Sequence, residues 1–148
     1  ADAMQALQRF ALEKHSGPYE QWPMRTRVIV DGVLHPTLAI PGYELLRQYQ
    51  TNLGFALITN YDCPFEEAVS ITLVTPDLSR AISTGTIGAA YYTFWLDDVE
   101  WIDANHFRLT CEDAVGDWLV TLRARHIPVL SPAVFIKRRV APPTQPAA

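Results

Sequence analysis

The alternation of apolar and polar residues in the second half of the chain constrains the fold more than any other feature. Apolar side chains occupy every second position in two stretches: Phe107, Leu109 and Cys111, then Trp118, Val120 and Leu122. A period of two is the mark of a strand with one buried and one solvated face. Residues 90–96 alternate in the same way, and short turns separate the stretches. The region therefore predicts a β-meander whose aromatic side chains supply most of a core.

The first half of the chain contains further strand signals. Arg25–Val30 and residues 33–40 are joined by Asp31-Gly32, a dipeptide that favours a tight hairpin because both turn positions need positive φ. Pro36 cannot donate to a ladder, so the second of these strands should lie at an edge or carry a bulge. Residues 53–59 are apolar on both faces, which predicts a strand in the centre of the fold.

Two segments carry a helical pattern instead. Residues 2–14 place apolar side chains at steps of three and four: Met4, Leu7, Phe10 and Ala11. Residues 43–50 also favour a short helix, with a strand as the less favoured alternative. Between these two segments, residues 19–23 predict a loop with an aromatic anchor at Trp22. The predicted fold class is α+β, mainly β: antiparallel meander sheets that form a sandwich or a partly open barrel, with an N-terminal helix packed on them.

Length and composition predict one domain. A chain of 148 residues has room for one β-rich domain over residues 1–140, followed by a disordered Pro-rich tail over residues 141–148. The net charge of −4 argues against nucleic-acid binding, and no apolar run is long enough to cross a bilayer. Cys63 and Cys111 fit two reduced, buried thiols, which favours the cytoplasm, with a disulfide between them as the alternative.

No standard catalytic or metal-binding motif occurs in the sequence. We find no phosphate-binding Gly loop, G-x-S-x-G elbow, H-E-x-x-H or C-x-x-C, so neither a cofactor nor a metal ion is predicted. The most suggestive cluster is acidic with one imidazole: Asp97, Asp98, Glu100, Asp103 and His106. Such groups could hold a divalent metal or act as acid and base, but Asp is also favoured in turns for its geometry alone. We favour turn chemistry. Cys63, at the start of a possible helix, is the candidate nucleophile, and a structural role is favoured there too.

Charge divides the second half of the chain into two blocks. Residues 97–117 hold seven acids and one base, Arg108, whereas residues 118–148 hold five bases and no acid. The acidic turns could present a negative face to a basic partner, or the two blocks could pair across neighbouring strands and cancel.

The function favoured by these observations is that of a non-enzymatic acidic protein-binding module. Its size and charge are typical of bacterial adaptor or toxin-neutralising proteins, and its expected partner is a basic protein. The predicted contact face combines acids with aromatic side chains: Trp95, Asp97, Asp98, Trp101 and Asp103. The alternatives are a small-ligand-binding barrel or sandwich, with a pocket lined by Tyr92, Phe94 and Trp118, and a less favoured thiol or metal-dependent hydrolase.

Overall fold

The computed structural model describes residues 4–62, 67–88, 93–112, 114, 116–124 and 131–139. Within these residues the chain forms β-strands and one short 3-10 helix, Tyr19–Gln21, with no α-helix. Consequently, the described segments contain no helix long and apolar enough to cross a membrane.

The described residues form twelve strands in three antiparallel sheets. The five-stranded sheet has the order β1-β5-β6-β7-β8 and contains β1 (Met4–Ala6), β5 (Glu44–Thr51), β6 (Gly54–Asn60), β7 (Val69–Val74) and β8 (Ala81–Ile87). The three-stranded sheet, in the order β2-β3-β4, contains β2 (Phe10–Leu12), β3 (Arg25–Val30) and β4 (Val33–Pro41). The four-stranded sheet, in the order β12-β11-β10-β9, contains β9 (Leu96–Asp103), β10 (His106–Cys111), β11 (Asp117–Leu122) and β12 (Val134–Arg139).

The five-stranded sheet lies between the other two, because its two faces contribute to separate hydrophobic cores. Ala56 and Ile58 of β6 pack with the four-stranded sheet around Phe107. Phe55 and Leu57, which point the other way, pack with β2, β3 and β4. Every residue of β6 and β7 is buried, so the predicted central strand is confirmed.

The hairpin predicted at Asp31-Gly32 is also confirmed. Asp31 has φ 51° and Gly32 has φ 83°, the positive values that a two-residue turn of this kind requires. Pro36 lies in β4, an edge strand whose register against β3 shifts between Arg27 and Ile29. The proline therefore leaves no gap in an interior ladder.

The predicted N-terminal helix is wrong, and with it the α+β fold class. The segment forms β1 and β2, which pair with β5 and β3 in different sheets. The side chain of Gln48 binds the backbone just before and at the start of β2: its Oε1 accepts from the N–H groups of Arg9 and Phe10 at 2.8 Å, and its Nε2 donates to the Phe10 carbonyl at 3.0 Å. These backbone groups thus find partners outside any helix.

The helix predicted over residues 43–50 is wrong as well. This segment is β5, paired with β1 and β6. A register shift between Leu45 and Arg47 changes the phase of the strand, so both Leu45 and Leu46 are half-buried. Two adjacent apolar residues followed by buried Tyr49 imitate a helical stripe, although the backbone is extended.

The predicted meander holds for β9 to β12, which are neighbours in sequence order. The turn chemistry expected for the acidic cluster is wrong for Asp97 and Asp98, because β9 runs through both residues to Asp103. Of the strand predicted over residues 90–96, residues 93–95 are not strand, Leu96 begins β9, and the part before Thr93 lies outside the described residues. The predicted tail over residues 141–148 lies outside them too.

Candidate functional site

A cleft of about 560 Å³ opens at one end of the fold, where β2 ends, β4 turns into β5, and β6 ends. We call it the aromatic cleft. Its walls combine aromatic rings, three carboxylates and one ammonium group: Glu13, Lys14, His15, Tyr19, Trp22, Tyr43, Glu44, Tyr61 and Asp62. A volume of this size falls within the range of about 300–1,000 Å³ that is typical of ligand sites.

Tyr43 is the centre of the ring cluster. Its centroid lies 5.4 Å from that of His15, 5.6 Å from Tyr19, 5.2 Å from Trp22 and 5.1 Å from Tyr61. All four pairs are close to perpendicular, with interplanar angles from 78° to 87°. Edge-to-face contacts at these distances stabilise one another, so the rings form a fixed wall and not a set of independent side chains.

Gly42 sets the position of Tyr43. It has φ 111°, and a Cβ placed on it would lie 2.6 Å from Cβ and Oγ1 of Thr59. The turn can therefore pass close to β6 only because residue 42 has no side chain. The Tyr43 N–H then donates to the Asn60 carbonyl at 2.7 Å, which ties the aromatic cleft to the end of β6.

The imidazole of His15 is held by a hydrogen-bond chain. Thr26 Oγ1 donates its one hydrogen to the Gly42 carbonyl at 2.6 Å and lies 2.9 Å from His15 Nε2. The hydroxyl must therefore accept from His15, which places an N–H on Nε2. Trp22 is fixed in a similar way, since its indole N–H lies 3.2 Å from the carbonyls of both Ser16 and Gly17.

The carboxylates of the aromatic cleft differ in their partners. Glu13 is bound by Arg27 at 3.1 and 3.2 Å, and this hydrogen bond lowers the pKa of Glu13. Glu44 and Asp62 form no ion pair within the described part of the chain. Burial, followed by the nearby Tyr43, raises the pKa of Tyr61, so its phenol stays protonated at neutral pH.

No family model, curated protein or solved structure matches this chain. The candidate site therefore depends on geometry and chemistry alone.

The structure does not bring the five predicted contact residues together. Trp101 packs inward, with its ring 5.2 Å from Tyr49 and 4.8 Å from Phe107. Asp103 closes the turn after β9: its Oδ1 accepts from the Asn105 N–H at 2.9 Å and lies 2.7 Å from His106 Nδ1. These hydrogen bonds, the backbone one first, lower the pKa of Asp103.

The other three residues lie near the start of β9. Asp97 and Asp98 are exposed, and Trp95 is half-buried just before the strand, with its carbonyl accepting from the Glu112 N–H at 2.8 Å. Since a strand rises about 3.3 Å per residue, Asp97 and Asp103 lie about 20 Å apart. One ligand cannot bridge these acids, although each remains available to a large partner surface.

Charge pairing across strands does occur in the four-stranded sheet. Arg108 of β10 lies 2.7 Å from Glu100 of β9, and Arg139 of β12 lies 3.0 Å from Asp117 of β11. The pair of Arg139 and Asp117 joins the two blocks of charge in the sequence, whereas Arg108 belongs to the acidic block itself. Across the segments that the structure covers, no group of His, Cys, Asp and Glu side chains could hold a metal ion.

The remaining sequence candidates lie away from the aromatic cleft. Cys111 is a buried free thiol whose pKa burial raises to about 11, which makes it a poor nucleophile. Cys63 and Tyr92 lie outside the described residues. Phe94 and Trp118 do share a smaller cleft of about 290 Å³, and their ring centroids are 5.6 Å apart.

Sequence patterns identified only one part of the aromatic cleft, the aromatic loop around Trp22. The other rings, Tyr43 and Tyr61, are distant in the sequence and meet because β5 pairs with β6, which places Glu44 opposite Asn60. A usable signal was present: Gly42-Tyr43 follows a proline, and Tyr61-Asp62 follows a buried strand. Aromatic residues at turns, and not within strands, mark a rim more often than a core.

Proposed function

We propose that this chain is a non-enzymatic protein-binding module that engages a basic partner through the aromatic cleft. The observation that carries the proposal is the set of fixed aromatic rings at the surface beside Glu44 and Asp62. Aromatic side chains are enriched at the energetic centres of protein interfaces. Carboxylates that form no ion pair with the described residues complement Lys and Arg side chains and speed the encounter with a basic surface.

His15 and Glu13 are already hydrogen-bonded within the protein, and this supports binding over catalysis. His15 directs its Nε2 hydrogen into the protein through Thr26, and Glu13 is held by Arg27. A general acid or base must reach the substrate proton directly or through one water. Both groups instead position the wall of the aromatic cleft, which favours a rigid recognition surface that loses little entropy on binding.

The test is a capture experiment followed by a measured affinity. Wild-type protein would be used to isolate partners from an extract of the source organism at low and at high salt, and the purified partner would be studied by calorimetry. Trp22→Ala should weaken binding by about tenfold or more, as expected for an interface anchor. Asp62→Asn tolerates the left-handed backbone of residue 62, φ 51°, and should weaken binding while flattening its salt dependence.

The matched controls are Met24→Ala and Glu20→Gln. Both residues are exposed, and neither lines the aromatic cleft. They should bind the partner like the wild type. Equal affinity of the Trp22→Ala variant, or a partner that is acidic, would contradict the proposal.

The volume of the aromatic cleft favours a small ligand as the second candidate function. About 560 Å³ accommodates a compact molecule with an apolar face and a few polar groups. Quenching of Trp22 fluorescence by a small molecule, with no partner captured, would favour this alternative. Loss of quenching in the Trp22→Phe variant would assign the signal to the aromatic cleft.

A cytoplasmic location completes the proposal. Cys111 is a free thiol, and free buried thiols are typical of reducing compartments.

A further inference from the structure

The four-stranded sheet ends in two edge strands of opposite charge. Of the residues that the structure describes, those of β9 pair only with β10, and those of β12 pair only with β11. The acidic edge, β9, carries four acids and no base: Asp97, Asp98, Glu100 and Asp103. The basic edge, β12, carries three bases and no acid: Lys137, Arg138 and Arg139.

The direction of the strands allows one edge to continue into the other. An antiparallel meander with an even number of strands has its first and last strands running in opposite directions. If a second copy is translated along the sheet, its β12 therefore meets β9 of the first copy in the antiparallel sense. The hydrogen-bond ladder can then run on from copy to copy without any change of orientation.

One register of this pairing brings exposed side chains of the two edges opposite each other. Ile102, which is 54% exposed, would lie opposite Phe135 of the second copy, which is 39% exposed. Two residues further along each strand, Glu100 would lie opposite Lys137. After two more residues, Asp98 would lie opposite the second copy's Arg139. An apolar pair and two ion pairs thus follow from a single alignment.

The side chains of this register differ in the ion pairs that they already make within one copy. Glu100 is bound by Arg108 and Arg139 by Asp117 within the same sheet. Asp98 and Lys137 form no ion pair with any residue described here. In the continued sheet, Asp98 and Lys137 would extend the chain of ion pairs that runs from Glu100 through Arg108 and Asp117 to Arg139.

We propose that copies of this chain associate head to tail through the acidic and basic edges, with β12 of one copy added to β9 of the next. Contacts of this kind join two different surfaces, so they propagate and do not close into a two-fold dimer. The association is independent of the aromatic cleft. It depends on exposed ion pairs, and so it weakens as the salt concentration rises.

The experiment is sedimentation velocity from micromolar to millimolar protein at low and high salt. The wild type should form species larger than a dimer as its concentration rises, and salt should reverse this. Asp98→Lys with Glu100→Lys should weaken association by about tenfold or more, because like charges then face each other. Lys137→Glu with Arg139→Glu should do the same. An equimolar mixture of these two variants restores opposite charges across each interface and should associate again.

Two further variants keep the test decisive. Glu20→Lys changes the net charge by the same amount as Asp98→Lys alone, at an exposed site outside the four-stranded sheet, and it should associate like the wild type. If a double variant does not fold, Asp98→Lys alone replaces it, since no hydrogen bond or ion pair of the described residues depends on this side chain. A wild-type protein that stays monomeric at every concentration would overturn the proposal, as edge charges would then serve to prevent association. Variants that fail to recover association when mixed would overturn it equally.

Discussion

Replacement of Gly42 by alanine tests the link between the backbone and the aromatic cleft. Residue 42 has φ 111°, where a non-glycine residue costs about 1–3 kcal/mol. The new Cβ would also lie 2.6 Å from Cβ and Oγ1 of Thr59, an overlap that adds about 1–3 kcal/mol of overpacking. A domain of this size loses about 3 °C of melting temperature per kcal/mol, so the substitution should lower Tm by about 6–18 °C.

Gly32→Ala is the matched control for the steric part of this cost. Gly32 also has a positive φ, 83°, but nothing lies within 4 Å of the position that its Cβ would occupy. Only the backbone strain of about 1–3 kcal/mol remains, which corresponds to about 3–9 °C. The difference in Tm between the two variants therefore isolates the contact between residue 42 and Thr59.

Thermal unfolding followed by circular dichroism measures both quantities. Near-ultraviolet dichroism should also decrease in the Gly42→Ala variant, because Tyr43 and the rings around it must move, whereas Gly32→Ala should leave this signal intact. Equal Tm values for the two variants would refute the close approach of the β4–β5 turn to Thr59. A large loss of Tm with an unchanged aromatic signal would refute the role of Gly42 in positioning Tyr43.

Three further predictions concern stability and reactivity. Side-chain hydrogen bonds lower the pKa of Asp77 from its ordinary value of 3.8 to about 2. The stabilisation of the fold by Asp77 is therefore complete above pH 3.8 and is lost as the pH falls towards 2. The Tm difference between wild type and Asp77→Ala should accordingly shrink over this interval. In a Cys63→Ser background, Cys111 should resist a thiol reagent at mildly alkaline pH until the protein is unfolded, because burial raises the pKa of Cys111 to about 11. Leu38→Ala and Leu109→Ala should each cost about 2–5 kcal/mol in chemical denaturation, and their effects should add, since the two residues belong to cores on opposite sides of the five-stranded sheet.

The strands that sequence patterns predicted correctly are those whose burial is regular along their whole length. In β10 and β11 every second residue is buried and the residues between are half-buried. Apolar and polar residues alternate accordingly along β10, and in β11 Leu119 is the one apolar residue on the outer face. In β6 both faces are buried, and the sequence is apolar from Gly54 to Ile58. The Asp31-Gly32 hairpin depends on two adjacent residues, and local sequence is sufficient to specify it.

The strands that were mistaken for helices depend on distant partners. Phe10 belongs to a strand because β3 pairs with it and Gln48 binds its backbone from another sheet, and neither partner is visible in a local window. In β5, the irregularity near Leu45 breaks the alternation that would have marked a strand. Periodicity reports the environment of a short segment, and tertiary pairing can override it.

The aromatic cleft could not be predicted for a related reason. Its rings come from three segments that the sheet topology brings together, and only Trp22 stood out in the sequence. The acids of β9, by contrast, are prominent in the sequence because they are neighbours in the chain, yet the strand spreads them along its length.

Because β6 contributes side chains to both hydrophobic cores, shortened fragments of this protein should not fold well. A fragment that stopped before β9 would leave Ala56, Ile58 and Ile71 facing water, and one that started after β4 would uncover Phe55 and Leu57. Either fragment would expose a large apolar surface that is buried in the intact protein, and it would aggregate when expressed. Dissection into halves is therefore a poor route to mapping partners, and point substitutions on the intact chain are the better one.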